Sequence, residues 1–193
     1  MFQTPGKKMS HPKLLDPKKS ALVVVDIQEG FRNAIPDFAV IASRASIAVR
    51  GFQILNIPVL VTEQYPKGLG HTAEEITSVL ADNSEVSEKT TFSSCGAGQF
   101  VAKLEELGVK QVVICGLETH VCVNQTAHDL LERGFEVHLL RDCVTSRHEY
   151  NRLSGIAKME RSGVVPSSIE MALFELMRDA KHEQFKAIQA LIK

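Results

Sequence analysis

The run Ala21-Leu-Val-Val-Val25, closed by Asp26, constrains this chain more than any other feature. Five apolar residues without polar alternation leave no face for water, so the run reads as a central parallel strand buried on both sides. Asp26 then stands at the strand's C-terminal edge. From Asp37 to Leu55 the apolar residues Phe38, Ile41, Ala45, Ala48, Phe52 and Leu55 recur with helical spacing, and Pro58-Val-Leu-Val-Thr62 reads as another strand. This is a β-α-β unit.

The same alternation continues. Ala97, Phe100, Val101, Leu104 and Leu107 make a helical stripe, Gly108 supplies its stop, and Gln111 to Cys115 is a strand. Cys122 to Arg133 reads as a helix closed by Gly134, and Glu136 to Leu140 as the next strand. Arg147 to Ser162 is helical and ends at Gly163, with Val164-Val165 as a short last strand. Two more helices are expected from Ser168 and from His182. Alternating elements of this kind specify an α/β fold, a parallel sheet with helices on both faces. Ligands in such folds bind beyond the C-terminal ends of the strands.

With 193 residues, no internal repeat and no interdomain linker, the expectation is one domain over residues 20–193 behind a flexible leader, residues 1–19. That leader carries Lys7, Lys8, Lys13, Lys18 and Lys19 but lacks the apolar core of a secretory signal. Without arginine and with three prolines it fits a mitochondrial presequence poorly. A net charge of -1 with no block of like charge argues against a nucleic-acid partner. The apolar stretches Ala21 to Val25 and Val112 to Cys115 are far too short to span a bilayer. Four cysteines without CxxC pairing fit reduced thiols and a cytoplasmic location.

Three candidates for chemistry fall on the C-terminal edge of the sheet: Asp26, Lys89 in Ser87-Glu-Lys-Thr-Thr-Phe92, and Cys122 opening a helix. A helix start favours a thiolate through its unpaired amides and dipole. A carboxylate nearby can take the thiol proton, and a lysine can hold that carboxylate. Each residue also has an ordinary reading, as a cap, a solvated charge and a small buried hydrophobe. His120 is an alternative base, but it lies in the turn that must shape an oxyanion site, which favours Asp26.

Leu22-Val-Val-Val-Asp-Ile-Gln28, Lys89-Thr-Thr-Phe-Ser93 and Gly116-Leu-Glu-Thr-His-Val-Cys-Val123, followed by Arg141-Asp-Cys-Val-Thr-Ser146, resemble in order the signature regions of the isochorismatase-like cysteine hydrolases. The likeness runs from about Ser20 to Ser168. It implies a three-layer α/β/α sandwich with a mainly parallel sheet of about six strands. It implies Asp26 as proton acceptor, Lys89 as charge-stabilising partner and Cys122 as nucleophile. The reaction would be hydrolysis of a small amide or related acyl compound through an acyl-enzyme, with no cofactor. The resemblance further implies a cis peptide at Leu117-Glu118 that, with Val121, shapes the oxyanion region. Oligomers are also implied, and Phe174, Leu176, Met177, Phe185, Ile188 and Leu191 are the residues to inspect for a subunit contact.

Two departures narrow the resemblance. Related nicotinamidases bind a metal through an Asp and His cluster after the second strand, where this chain has Thr62 to Gly70 and a single His71, so no metal is expected. Isochorismatases of siderophore pathways generally lack the catalytic cysteine, which this chain keeps. The segment is most similar to the small isochorismatase-domain proteins. Gln28, Phe31, Gln64, Tyr65 and Thr119 are the candidates for lining a substrate pocket. Cys95, Cys115 and Cys143 read as packing residues, and Gly96-Ala-Gly98 lacks the third glycine and preceding strand of a dinucleotide loop. The alternative to catalysis is a binding or thiol-sensing module on the same fold.

Overall fold

The computed structural model describes residues 11, 13–82 and 84–193. Its centre is a six-stranded, wholly parallel sheet in the order β3-β2-β1-β4-β5-β6. The strands are β1 (Ser20–Val25), β2 (Val59–Gln64), β3 (Val86–Lys89), β4 (Gln111–Gly116), β5 (Glu136–Val144) and β6 (Val165–Ser167). The helices are α1 (Phe38–Ile54), the single turns α2 (Pro66–Leu69) and α3 (Glu74–Thr77), α4 (Gly98–Glu106), α5 (Asn124–Glu132), α6 (Glu149–Arg161), α7 (Ile169–Met177) and α8 (Phe185–Ile192).

Every residue of β1 is buried, as an unalternating apolar strand between two helical layers must be. Leu22 and Val24 face α1, α7 and α8, whereas Ala21, Val23 and Val25 face α4, α5 and α6. These are the three layers expected. The chain winds outward from β1 to β2 and β3, then returns to place β4 on the other side of β1. That reversal falls between β1 and β4, and the C-terminal ends of strands at such a point are where α/β folds bind ligands.

Three local readings change. Lys89 ends a short edge strand that the segment's mixed polarity did not announce. β5 runs on to Val144, because an irregularity opposite Ile114 and Gly116 accommodates Arg141, Asp142 and Cys143 before pairing resumes. Val165–Ser167 forms the other edge, where Pro166 is tolerated because it need donate no hydrogen bond to a further strand.

Much of the expected leader, residues 1–10 and 12, lies outside the described residues. Leu15, within that leader, is fully buried in the core layer of α1 and α7. Its N–H donates to Glu175 Oε2 (3.1 Å), and its carbonyl accepts from Arg178 Nη2 (2.6 Å). Among the residues singled out for a subunit contact, Leu176, Met177 and Ile188 are buried within this chain. Phe174 remains partly exposed and packs against Phe185, with ring centroids 6.1 Å apart. The described residues include no helix long and apolar enough to cross a membrane.

Candidate active site

Asp26 leaves β1 with φ at +51°, a left-handed conformation that asparagine and aspartate adopt more readily than other residues with a side chain. Its neighbour across the sheet is the end of β2, so its carboxylate lies beside Thr62, whose hydroxyl donates to Oδ1 at 2.7 Å. Lys89 arrives from β3 and donates to Oδ2 at 2.6 Å. Both side chains of this ion pair are wholly shielded from solvent. A buried pair of this kind seldom adds net stability over apolar packing, which makes a functional reason for keeping it the better account.

The Lys89 ammonium is surrounded by acceptors: Gln64 Oε1 at 2.9 Å and the carbonyls of Phe92 at 3.0 Å and Thr91 at 3.3 Å, besides Asp26. With three protons shared among four acceptors, it is a fixed charge rather than a mobile arm. Tyr65 and Phe92 are each about half exposed, and the Tyr65 N–H donates to the Lys89 carbonyl at 2.8 Å.

Cys122 completes the group from the segment that follows β4. It sits in a wide π-type turn, Thr119–Val123, that leads into α5. Sequence reasoning placed it in the first turn of an ordinary helix and expected the helix end to favour the thiolate. The structure reverses that expectation. Burial, followed by the negative charge of Asp26, pushes the Cys122 thiol up to about 12, against the lowering influence of Lys89. A hydrogen bond with Asp26 and the charge of Glu118 add to the rise. The group is therefore a neutral thiol beside a carboxylate able to take its proton.

The turn carrying Cys122 is fastened to the segment after β5. The N–H and hydroxyl of Thr119 both donate to the Thr145 carbonyl at 2.9 Å. Glu118 accepts from the Arg147 N–H at 2.9 Å and from its Nε at 3.2 Å, and His120 Nδ1 lies 3.0 Å from Ser146 Oγ. The expected cis bond at Leu117-Glu118 is absent, as every described peptide is trans. The wide turn there is closed by the Val123 N–H on the Glu118 carbonyl at 3.3 Å. The Val121 N–H donates to the Glu118 carbonyl at 3.0 Å. Leu117 is core, with its N–H on Val25 O at 2.8 Å.

The five pocket candidates divide. Gln28 is fully buried, and its amide is spent on the Gln64 N–H and on the carbonyls of Gln64 and Gly70, so it ties the β2 exit to the following loop. Thr119 is likewise consumed, and Phe31 packs against the core. Gln64 braces Lys89, and Tyr65 is exposed. Sequence reasoning missed Thr62 as a partner of Asp26. Its signal was a hydroxyl ending an otherwise apolar strand at the same edge as Asp26. It also missed Arg147, which nothing in its exposed segment announced.

The remaining cysteines have structural settings. Cys115 and the fully buried Cys143 adjoin each other, and burial and that neighbour hold the Cys143 thiol well above its usual range. Burial raises Cys95 to about 11. Gly96 makes room for Thr91, whose Oγ1 would lie 2.0 Å from an added Cβ. No group of three His, Cys, Asp or Glu side chains among the described residues could hold a metal ion. His71 lies against Glu63 at 3.0 Å.

Comparison with known proteins adds an independent line. The Isochorismatase domain model matches residues 20–171. Isochorismatase domain-containing protein 1 of Salmo salar is 43% identical over 179 residues, covering 93% of this chain but 62% of the relative. Isochorismatase domain-containing protein 2 of Danio rerio is 41% identical, covering 92% of this chain and 89% of the relative. Among solved structures, the MAR1 ribonuclease of Caenorhabditis elegans superposes with a TM-score of 0.89 at 40% identity, covering 93% of this chain and 92% of its own. The chain thus spans less than two thirds of the length of some relatives and most of the length of others.

Proposed function

The chain belongs to the isochorismatase family and has its hydrolase fold, and on that premise we propose that it is a cysteine hydrolase of a small amide or related acyl compound. The observation that carries this reading is the buried Lys89–Asp26 pair, 2.6 Å apart, set against the Cys122 thiol. Because the thiol is held neutral, attack requires proton transfer in the same step. Asp26 takes the proton as sulfur bonds to the carbonyl carbon, and Lys89 keeps the carboxylate in place. The C–N bond then breaks, the leaving nitrogen takes the proton from Asp26, and a thioester remains. Water attacks the thioester with Asp26 again as base, releasing the acid and restoring the thiol.

Incubating the purified protein with a panel of small amides and weighing it intact tests the mechanism. A substrate should leave an acyl mass on the wild type and none on Cys122→Ala, whose turnover should be lost. Full turnover by Cys122→Ala of an identified substrate refutes the mechanism.

A second reading comes from the name of the Caenorhabditis relative, a ribonuclease. A thiol nucleophile suits acyl transfer better than phosphodiester cleavage, which ordinarily needs metal or strong cationic stabilisation of the phosphate. RNA cleavage by the purified protein that disappears in Asp26→Asn would favour this second reading. Thiol sensing is disfavoured by the same high thiol value, because little thiolate is present at neutral pH. We further propose self-association, with a small molecule rather than nucleic acid or membrane as the site's ligand. A sedimentation profile showing only the 21.3 kDa species at micromolar concentration would contradict the assembly.

A further inference from the structure

Leading from Asp26 Oδ1, three fully buried hydroxyls stand in a row: Thr62 on β2, Ser94 in the turn before α4, and Thr126 on α5. Thr62 Oγ1 is 2.7 Å from Asp26 Oδ1 and 3.3 Å from Ser94 Oγ, and Ser94 Oγ is 3.2 Å from Thr126 Oγ1. The Ser94 N–H closes the row by donating to Thr126 Oγ1 at 2.9 Å.

The direction of every proton in this row follows from the charge of Asp26. An ionised carboxylate only accepts, so Thr62 must donate to it. A hydroxyl has one hydrogen, so Thr62 can only accept from Ser94, and Ser94 can only accept from Thr126. The Ser94 amide fills an acceptor site on Thr126 and leaves its hydrogen to point inward. All three O–H dipoles therefore point towards Asp26. Hydrogen bonds aligned head to tail polarise one another, and in a buried site that effect is poorly screened.

We infer that Ser94 and Thr126 are positioning residues, and that the row Thr126–Ser94–Thr62 holds Asp26 in its charged, proton-accepting form. This rests on the reading of Asp26 as the base for Cys122. Thr126 touches no reacting atom, and its influence runs through two other side chains. It also couples α5, the helix that follows the Cys122 turn, to the carboxylate that must receive the Cys122 proton. The hydroxyl row accordingly ties nucleophile and base through the protein interior as well as by their direct contact.

The other groups around Asp26 are Lys89 on β3 and the Cys122 thiol, with Glu118 beyond the thiol, while Glu63 on β2 faces away to Thr72 and His71. None is altered by changing Thr126. The test uses full-length protein labelled with 13C at the aspartate carboxyls, with the Asp26 signal identified by its loss in Asp26→Asn. Thr126→Val keeps shape and removes the hydroxyl, and Ser94→Ala breaks the row one link closer if the first variant folds poorly. Either should make Asp26 easier to protonate, moving its titration midpoint up in pH relative to the wild type. Thr126→Ser should keep the wild-type midpoint. A lower melting temperature with an unmoved midpoint, an equal rise in Thr126→Ser, or a carboxylate that stays ionised to the acid limit in wild type and variants alike would overturn the inference. The measurement needs no substrate, so it stands or falls separately from acyl capture by Cys122.

Discussion

Gly116→Ala is expected to be among the most damaging single-methyl changes in this protein. Gly116 ends β4 with φ at +124°, beside the last residue of β1. A Cβ there would lie 2.0 Å from Val25 O and 2.7 Å from Val25 N, far inside the 3.4 Å at which ordinary contact begins. Strand β1 cannot retreat, since Val25 O also accepts the Leu117 N–H at 2.8 Å and β1 is central to the sheet. The backbone conformation alone costs a residue with a side chain about 1–2 kcal/mol, and forcing an extra carbon into a packed interior adds about 1–3 kcal/mol. The expected loss is about 2–5 kcal/mol, which lowers the melting temperature of a chain this size by about 10 °C. Two other glycines separate the contributions. Gly108 also has positive φ (+67°) but nothing within 4 Å of its added Cβ, so Gly108→Ala should cost only about 1–2 kcal/mol. Gly98 opens α4 with equally open space, and alanine there should be neutral or stabilising by a few tenths of a kcal/mol. Urea denaturation of the three variants checks the order. A Gly116→Ala protein as stable as Gly108→Ala would refute the argument that the approach of β1 forbids a side chain.

Gly155 on α6 lies against the Cys122 turn, where a Cβ would come 3.0 Å from His120 Cα and Thr119 O. Gly155→Ala should therefore slow alkylation or turnover at Cys122 more than it lowers the melting temperature, and an unchanged rate would refute this. The Cys122 thiol, raised to about 12 from an ordinary 9, favours the folded state while both forms are protonated. That contribution is fully present below about pH 9 and is lost as pH rises towards 12. Denaturation from pH 8 to 10.5 should show wild type losing more stability than Cys122→Ser, and parallel curves would contradict it. Leu15→Ala removes a fully buried side chain from the α1 and α7 layer and should cost about 2–4 kcal/mol by denaturant melt. A cost under about 0.5 kcal/mol would mean the segment around Leu15 contributes little to the fold.

The sequence by itself determined the α/β class, because a run such as Ala21 to Val25 can be hidden only between two helical layers. It also placed Asp26 and Cys122 near strand ends, since apolar runs mark where strands stop. Periodicity cannot carry the rest. The order β3-β2-β1-β4-β5-β6 depends on which way each crossover returns, and that order brings Asp26, Lys89 and Cys122 together. The state of the thiol was beyond local reasoning as well. A helix start is read from neighbours in sequence, but burial and the charge of Asp26, ninety-six positions away, outweigh it. The same holds for Gln28, whose amide is spent on the Gln64 and Gly70 backbone, and for the row from Thr126 to Asp26. Hydroxyls on a strand, a turn and a helix acquire a direction only when folding takes them out of water and leaves them one another as partners.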